Sequence, residues 1–222
     1  MNFKAARLAM VESQIRPNGV RDPRLLDAFA SIPREHFVPE DQKALAYMDE
    51  AVLGTPASQG SPARYLLPPM VLARMLQFAN PPAAGRALDV GGVTGYSAAI
   101  LAQLCAKVYA LEASESLGET MKHCLESVGV HTVSVHAGAL DAGLASEKPF
   151  DLILVNGDVS KEPKELLEQL AEGGRLVAII GKGWLGHAYL YTKSSGAISG
   201  RAIFDAGAET LPGFEAKPQF VF

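Results

Sequence analysis

Cysteine is scarce in this chain of 222 residues, with Cys105 and Cys124 the only two. Both fall in apolar, helix-like stretches, which argues against a disulfide framework and suits a reducing cytoplasm. No cysteine or histidine spacing matches a zinc site, so no metal is expected. Long hydrophobic runs are lacking too. The longest, residues 96–106, is interrupted by Ser97 and Gln103 and stopped by Lys107, which is too short to cross a bilayer. The first 16 residues mix Lys4, Arg7 and Glu12 among their apolar positions and lack a signal-peptide core. An excess of charge is also missing. The formal net charge is −4, which argues against a broad nucleic-acid surface. These absences predict a cytoplasmic protein with neither a membrane nor a nucleic acid as partner.

What remains is an ordinary globular composition, 48% hydrophobic and 20% charged. The length suits one domain over residues 1–222, with an N-terminal helical segment at 1–62 and a Rossmann-like core at 63–222. In the first segment Asp22-Pro23 reads as a helix cap followed by a proline at the first helical position. Leu25, Leu26 and Phe29 give that helix an apolar face. Residues 54–62 are a loop by composition. A further helix starts near Pro68, with Val71, Leu72, Met75 and Leu76 on one side.

From residue 86 onward strand and helix patterns alternate. Strands are predicted at 86–90, 107–112, 132–136, 151–155 and 175–180, and helices at 96–104, 117–128 and 163–170. Such alternation implies right-handed crossovers and a mostly parallel sheet with helices on both faces. Short strand-like pieces at 189–192 and 202–205 suggest a terminal hairpin. Trp184 is expected in the core.

The informative stretch is Asp89-Val90-Gly91-Gly92-Val93-Thr94-Gly95. A buried strand runs into a glycine-rich turn that opens a helix, whose first amides and dipole favour an anion. Glu112 ends the next strand, where a carboxylate can accept from both hydroxyls of a ribose. A dinucleotide fingerprint starting at Gly91 needs glycines where Val93 and Tyr96 stand, so a nicotinamide cofactor fits poorly. An acid followed by spaced glycines, as in Asp89, Gly91 and Gly95, fits the S-adenosylmethionine pattern better. Val93 occupies its middle glycine position.

At these residues the chain resembles the protein-L-isoaspartate O-methyltransferase family. The resemblance begins with Met10-Val11-Glu12, Gln14-Ile15-Arg16 and Arg21-Asp22-Pro23-Arg24-Leu25-Leu26. It continues through Ile32-Pro33-Arg34-Glu35-His36-Phe37-Val38-Pro39 and Ala46-Tyr47-Met48-Asp49. It resumes at Met70-Val71, the glycine turn, Glu112, Phe150-Asp151 with Asn156, and Gly173-Gly174-Arg175-Leu176-Val177. The N-terminal part is the specific one.

The resemblance implies a Rossmann-like methyltransferase fold, S-adenosylmethionine as cofactor, and methyl transfer to the carboxylate of isoaspartyl residues in damaged proteins. By position it puts Asp89, Gly91, Gly92, Gly95, Glu112, Gly138, Ala139 and Asn156 at the cofactor. Asp49, Arg64, Tyr65 and Leu66 fall at the substrate. It assigns no catalytic acid or base, because transfer from a sulfonium depends mainly on positioning and exclusion of water.

Three departures from the family pattern matter. Leu66 stands where the family carries a serine hydroxyl, and leucine forms no hydrogen bond. Val93 is β-branched where φ > 0 is wanted, unless Gly92 shifts the turn. Ala139 replaces an aspartate that would pin the adenine. Weak or absent isoaspartyl turnover is therefore expected. One alternative is a small acidic acceptor held by the fork of Arg64. Another is an inactive member serving as a binding or adaptor protein.

Overall fold

A computed structural model describes residues 1–58, 62–182 and 185–215. Trp184 lies outside the described residues. The chain opens with α1 (Phe3–Met10), which runs into a wider helical turn at Val11–Ile15, and α2 (Pro23–Ser31). As the sequence suggests, Asp22 Oδ1 accepts the Arg24 amide at 2.9 Å, and Pro23 fills a first-turn position that needs no N–H. Leu25, Leu26 and Phe29 are buried.

Short 3-10 turns follow at Arg34–Phe37 and Glu40–Leu45, and only the end of the N-terminal segment departs from the helical expectation. β1 (Val52–Thr55) pairs antiparallel with β2 (Arg64–Leu66), so a two-stranded sheet straddles the expected boundary at residue 62. Each strand alternates buried and half-buried positions over only three or four residues, too short a pattern to read by eye.

The remaining elements are α3 (Pro69–Ala79), β3 (Arg86–Val90), α4 (Tyr96–Ala102), β4 (Lys107–Glu112), α5 (Glu115–Ser127), β5 (Val133–Ala137), β6 (Phe150–Val159), α6 (Lys164–Leu167), β7 (Leu170–Lys182), β8 (Leu185–Ser194) and β9 (Ala197–Asp205). The eight elements from β3 to β7 follow the predicted order of strands and helices. The main sheet has the order β5-β4-β3-β6-β7-β8-β9. It is parallel from β5 to β7, and β8 and β9 continue as an antiparallel meander.

Because side chains alternate across a strand, each sheet face builds its own core. Ala87, Val108, Leu152 and Val177 point to the face covered by α2, α3, α4 and α5. Leu88, Tyr109, Ile153 and Leu176 point to the other, covered by Leu166 and Leu167 of α6 and by Leu211 and Phe214. This is the layered parallel-cored fold expected. No helix among the described residues is long and apolar enough to cross a membrane.

Two boundaries differ from expectation. The helix read at 163–170 is only Lys164–Leu167, and Leu170 already opens β7. Its leucines are buried, but one of them is strand rather than helix, an ambiguity periodicity alone does not resolve. β6 runs on to Val159 instead of stopping near 155. The reason is distant in sequence. Asp158 donates its amide to Glu209 O at 2.9 Å and accepts the Leu211 amide at 3.0 Å, so a C-terminal segment extends the strand.

Candidate functional site

β3 is central, with β4 and β5 on one side and β6 and β7 on the other. In an open parallel sheet this reversal leaves a crevice at the carboxyl ends of the strands. The register sets Val90 beside Leu111, and the Gly91 amide donates to Leu111 O at 2.9 Å. The glycine turn and Glu112 are thereby side by side at that end.

The turn is left-handed at three places: Gly91 (φ 71°), Val93 (φ 60°) and Gly95 (φ 95°). Gly92 does not shift the turn to spare Val93; the valine itself takes the positive φ. For a β-branched residue this costs about 1–3 kcal/mol and needs outside support. Two contacts supply it. The Val93 amide donates to Glu112 Oε1 at 2.6 Å. The side chain packs against Gly54 of β1, where a Cβ would lie 2.8 Å from Val93 Cγ1. Gly92 has a different duty, since a Cβ there would collide with the Asp89 carboxylate.

Glu112 is fully buried. Its second oxygen accepts the Ala113 amide at 2.9 Å and faces Arg64 Nη1 at 3.3 Å. Arg64 Nη2 donates to Gly91 O at 3.0 Å. Burial pushes the Glu112 carboxyl up, while Arg64 and the two amides pull it back. Asp89, also fully buried, has no cation. It accepts Asn156 Nδ2 at 2.6 Å and Ser97 Oγ at 2.8 Å, and burial pushes it up to about 7. Asn156 therefore lies inside β6, tied to β3, rather than in a turn after the strand.

The sequence reading gave Arg64 a substrate carboxylate to hold. The fork does face a carboxylate, but it is the chain's own Glu112, and Arg64 is 5% exposed. Leu66 is likewise buried, and Tyr65 is half-buried. Asp49 accepts the Met70 amide at 3.1 Å and so caps the first turn of α3. Gly138 and Ala139 lie exposed just past β5, with the Gly138 amide donating to Glu112 O at 2.9 Å.

Sequence reasoning missed Leu211 altogether. A Cβ on Gly91 would lie 3.1 Å from its methyls and 3.0 Å from Arg64 Nη2. Leu211 reaches the turn only through the pairing of residues 209–211 with β6, for which no local signal exists.

Little space is left between these groups. One cavity, bordered by Arg64, Tyr65, Leu66, Asn156 and Leu211, holds about 10 Å³. A second, bordered by Arg34, Leu66, Gly92, Val93 and Tyr96, also holds about 10 Å³. Each is room for about one water, whereas ligand pockets measure about 300–1,000 Å³. The larger hollow of about 550 Å³ beside Gly181, Leu185 and His187 is wide open and contains no residue of the turn. The polar groups at Glu112 suit a ribose, and in this conformation Arg64 and Leu211 lie close over the glycine turn.

A wedge from the N-terminal segment closes the opposite side of the turn. Fully buried Arg34 donates to Ala46 O and Leu67 O, each at 2.8 Å, and its guanidinium lies 4.7 Å from the centre of the Tyr96 ring. Phe29 and Phe37 meet the same ring edge-on. Thr94 Oγ1 donates to Phe37 O at 2.6 Å. The start of α4 is thus buried, and its first residues do not face an open anion site as the sequence suggested.

A family profile described as Protein-L-isoaspartate(D-aspartate) O-methyltransferase (PCMT) matches residues 6–205. The protein-L-isoaspartate O-methyltransferase of Koribacter versatilis (strain Ellin345) is 38% identical over 206 residues, covering 91% of this chain and 89% of that protein. The one from Roseiflexus sp. (strain RS-1) is 37% identical over 181 residues, covering 82% and 80%. A solved protein-L-isoaspartate O-methyltransferase matches with a TM-score of 0.81 at 24% identity, over 95% of this chain and 66% of that one. A beta-aspartate methyltransferase (PCMT) structure from Plasmodium falciparum, in complex with S-adenosyl-L-homocysteine, matches with a TM-score of 0.76 at 21% identity, over 92% and 97%. At such identities the two structures speak for the fold.

Proposed function

We propose, from the premise that this chain belongs to the protein-L-isoaspartate(D-aspartate) O-methyltransferase family, that it is an S-adenosylmethionine-dependent methyltransferase acting on an isoaspartyl carboxylate of a protein or peptide. The observation that carries this reading is 38% identity over 206 residues to a protein of that name. The site supports it in kind. A glycine turn at the centre of a parallel sheet and a buried carboxylate at the end of the next strand are what a nucleoside cofactor uses. Two unpaired cysteines suit a reducing, cytoplasmic setting.

The chain's own residues define what it contributes. Glu112 offers acceptors, held in place by the Val93 and Ala113 amides. Asn156 and Ser97 fix Asp89 beneath the turn. Leu66 presents only hydrocarbon toward the neighbouring cavity. In this conformation the Arg64 fork faces Glu112 and Gly91 O rather than an acceptor.

The test is a methyl-transfer assay with an isoaspartyl peptide, in the wild type and in Leu66→Ser. The wild type should turn over slowly, and the restored hydroxyl should raise kcat by about 10-fold or more, since orientation of the acceptor governs rate. Methylation absent from both, with S-adenosylhomocysteine still bound, would move the acceptor to another chemical class.

A further inference from the structure

The acceptors that a cofactor would need are already used by the chain itself. Arg64 Nη1 sits 3.3 Å from Glu112 Oε2, and Nη2 sits 3.0 Å from Gly91 O. Both acceptors belong to the carboxyl-end crevice where β3 meets its neighbours. The guanidinium and Leu211 lie over the turn, and the two cavities that border Arg64 or Val93 beside it hold about 10 Å³ each.

The element that delivers the guanidinium is slight. β2 has three residues and pairs only with β1, outside the seven-stranded sheet, and their register slips between Leu53 and Thr55. Displacing its Arg64 end breaks none of the strand pairings of the seven-stranded sheet.

We propose that Arg64 is an intramolecular competitor for the cofactor, which binds only when the guanidinium has left Glu112, so that this one residue sets the cofactor affinity. The inference rests on the reading above that the crevice takes S-adenosylmethionine. A ligand that needs a minor conformer has its apparent Kd raised by the inverse of that conformer's population. Removing the competitor returns that factor to the ligand.

The experiment is calorimetric titration of the full chain and of Arg64→Ala with each compound. The variant should bind S-adenosylhomocysteine at least about 10-fold more tightly than the wild type, and S-adenosylmethionine by a similar factor. Equal or weaker affinity in the variant, with the wild type binding, overturns the proposal and leaves the cofactor reading standing. Binding to neither protein overturns both. If Arg64→Ala does not fold, hydrogen exchange on the wild type decides. Amides of Arg64–Leu66 should exchange faster when S-adenosylhomocysteine saturates the protein, and unchanged or slower exchange overturns the proposal.

Discussion

Two arginines are buried in this molecule, and they are buried for different reasons. Arg34, in the N-terminal wedge, is fully enclosed and spends its fork on two backbone carbonyls and a tyrosine ring. Burial lowers its pKa, and no carboxylate accepts a hydrogen bond from it. Arg64, above the glycine turn, is nearly as enclosed but faces a carboxylate. The two carbonyls that Arg34 holds, Ala46 O and Leu67 O, tie the N-terminal segment to the chain just before α3. A side-chain carboxylate in a crevice is available to a ligand. The first arginine clamps structure, and the second holds a place in the site. Stability and ligand affinity should therefore respond to the two in opposite proportions.

Arg34→Ala should have the largest effect. It strands the Ala46 and Leu67 carbonyls and removes the packing over Tyr96, a loss of about 3–5 kcal/mol. Urea denaturation measures it. A loss below about 1 kcal/mol would mean the wedge is not clamped by Arg34 and would erase the contrast.

Asp89 sharpens the contrast from the acid side, because it is a fully buried carboxylate beside the same turn that accepts from Asn156 and Ser97 where Glu112 faces Arg64. Its carboxyl lies at about 7 in the folded protein and at 3.8 in a free side chain. Its contribution to stability is then fully present below about pH 4 and is lost as pH rises to about 7. At about 1.4 kcal/mol per pH unit the loss is on the order of 2–4 kcal/mol. Denaturation curves of the wild type and Asp89→Asn at pH 5 and pH 8 should show the wild type losing stability over that interval and the variant losing much less.

Arg64→Ala should cost about 3 kcal/mol in the ligand-free protein, the low end for breaking a buried pair, because two amides still hold Glu112. Unlike Arg34→Ala, it should recover much of that stability when S-adenosylhomocysteine is added. Thermal melts with and without the compound provide the comparison.

Val93→Gly should be the smallest change, within about 1 kcal/mol of wild type. Release of about 1–3 kcal/mol of backbone strain offsets about 1.5–3 kcal/mol of lost valine burial. A destabilisation well beyond that would show that the positive φ is nearly free of strain.

Much of this arrangement was legible in the sequence. β3 and β4 fall at the predicted residues because fully buried parallel strands read as short apolar runs between turn signals. The turn and Glu112 followed from them. The cap of α2 and the buried face of α3 were equally local. The Arg64–Glu112 pair was not legible, because a fork-bearing arginine near a loop carries no mark of which carboxylate it will meet. The extension of β6 and the placement of Leu211 escaped for a similar reason: both depend on residues 209–211 returning to a strand some fifty positions earlier. Val93 posed a third kind of problem. Its type argued against φ > 0, and the amide bond to Glu112 together with the contact with Gly54 explains how the conformation is held.

That contact also constrains the order in which the site can change. With valine at 93, any side chain at 54 would begin 2.8 Å from Val93 Cγ1, so position 54 is confined to glycine while the valine remains. Substituting position 93 first by glycine removes the obstacle and frees 54 to vary. Substituting 54 first meets a closed wall. The two positions form a latch with one opening sequence, and a library that varies residue 54 alone would sample almost nothing that folds well.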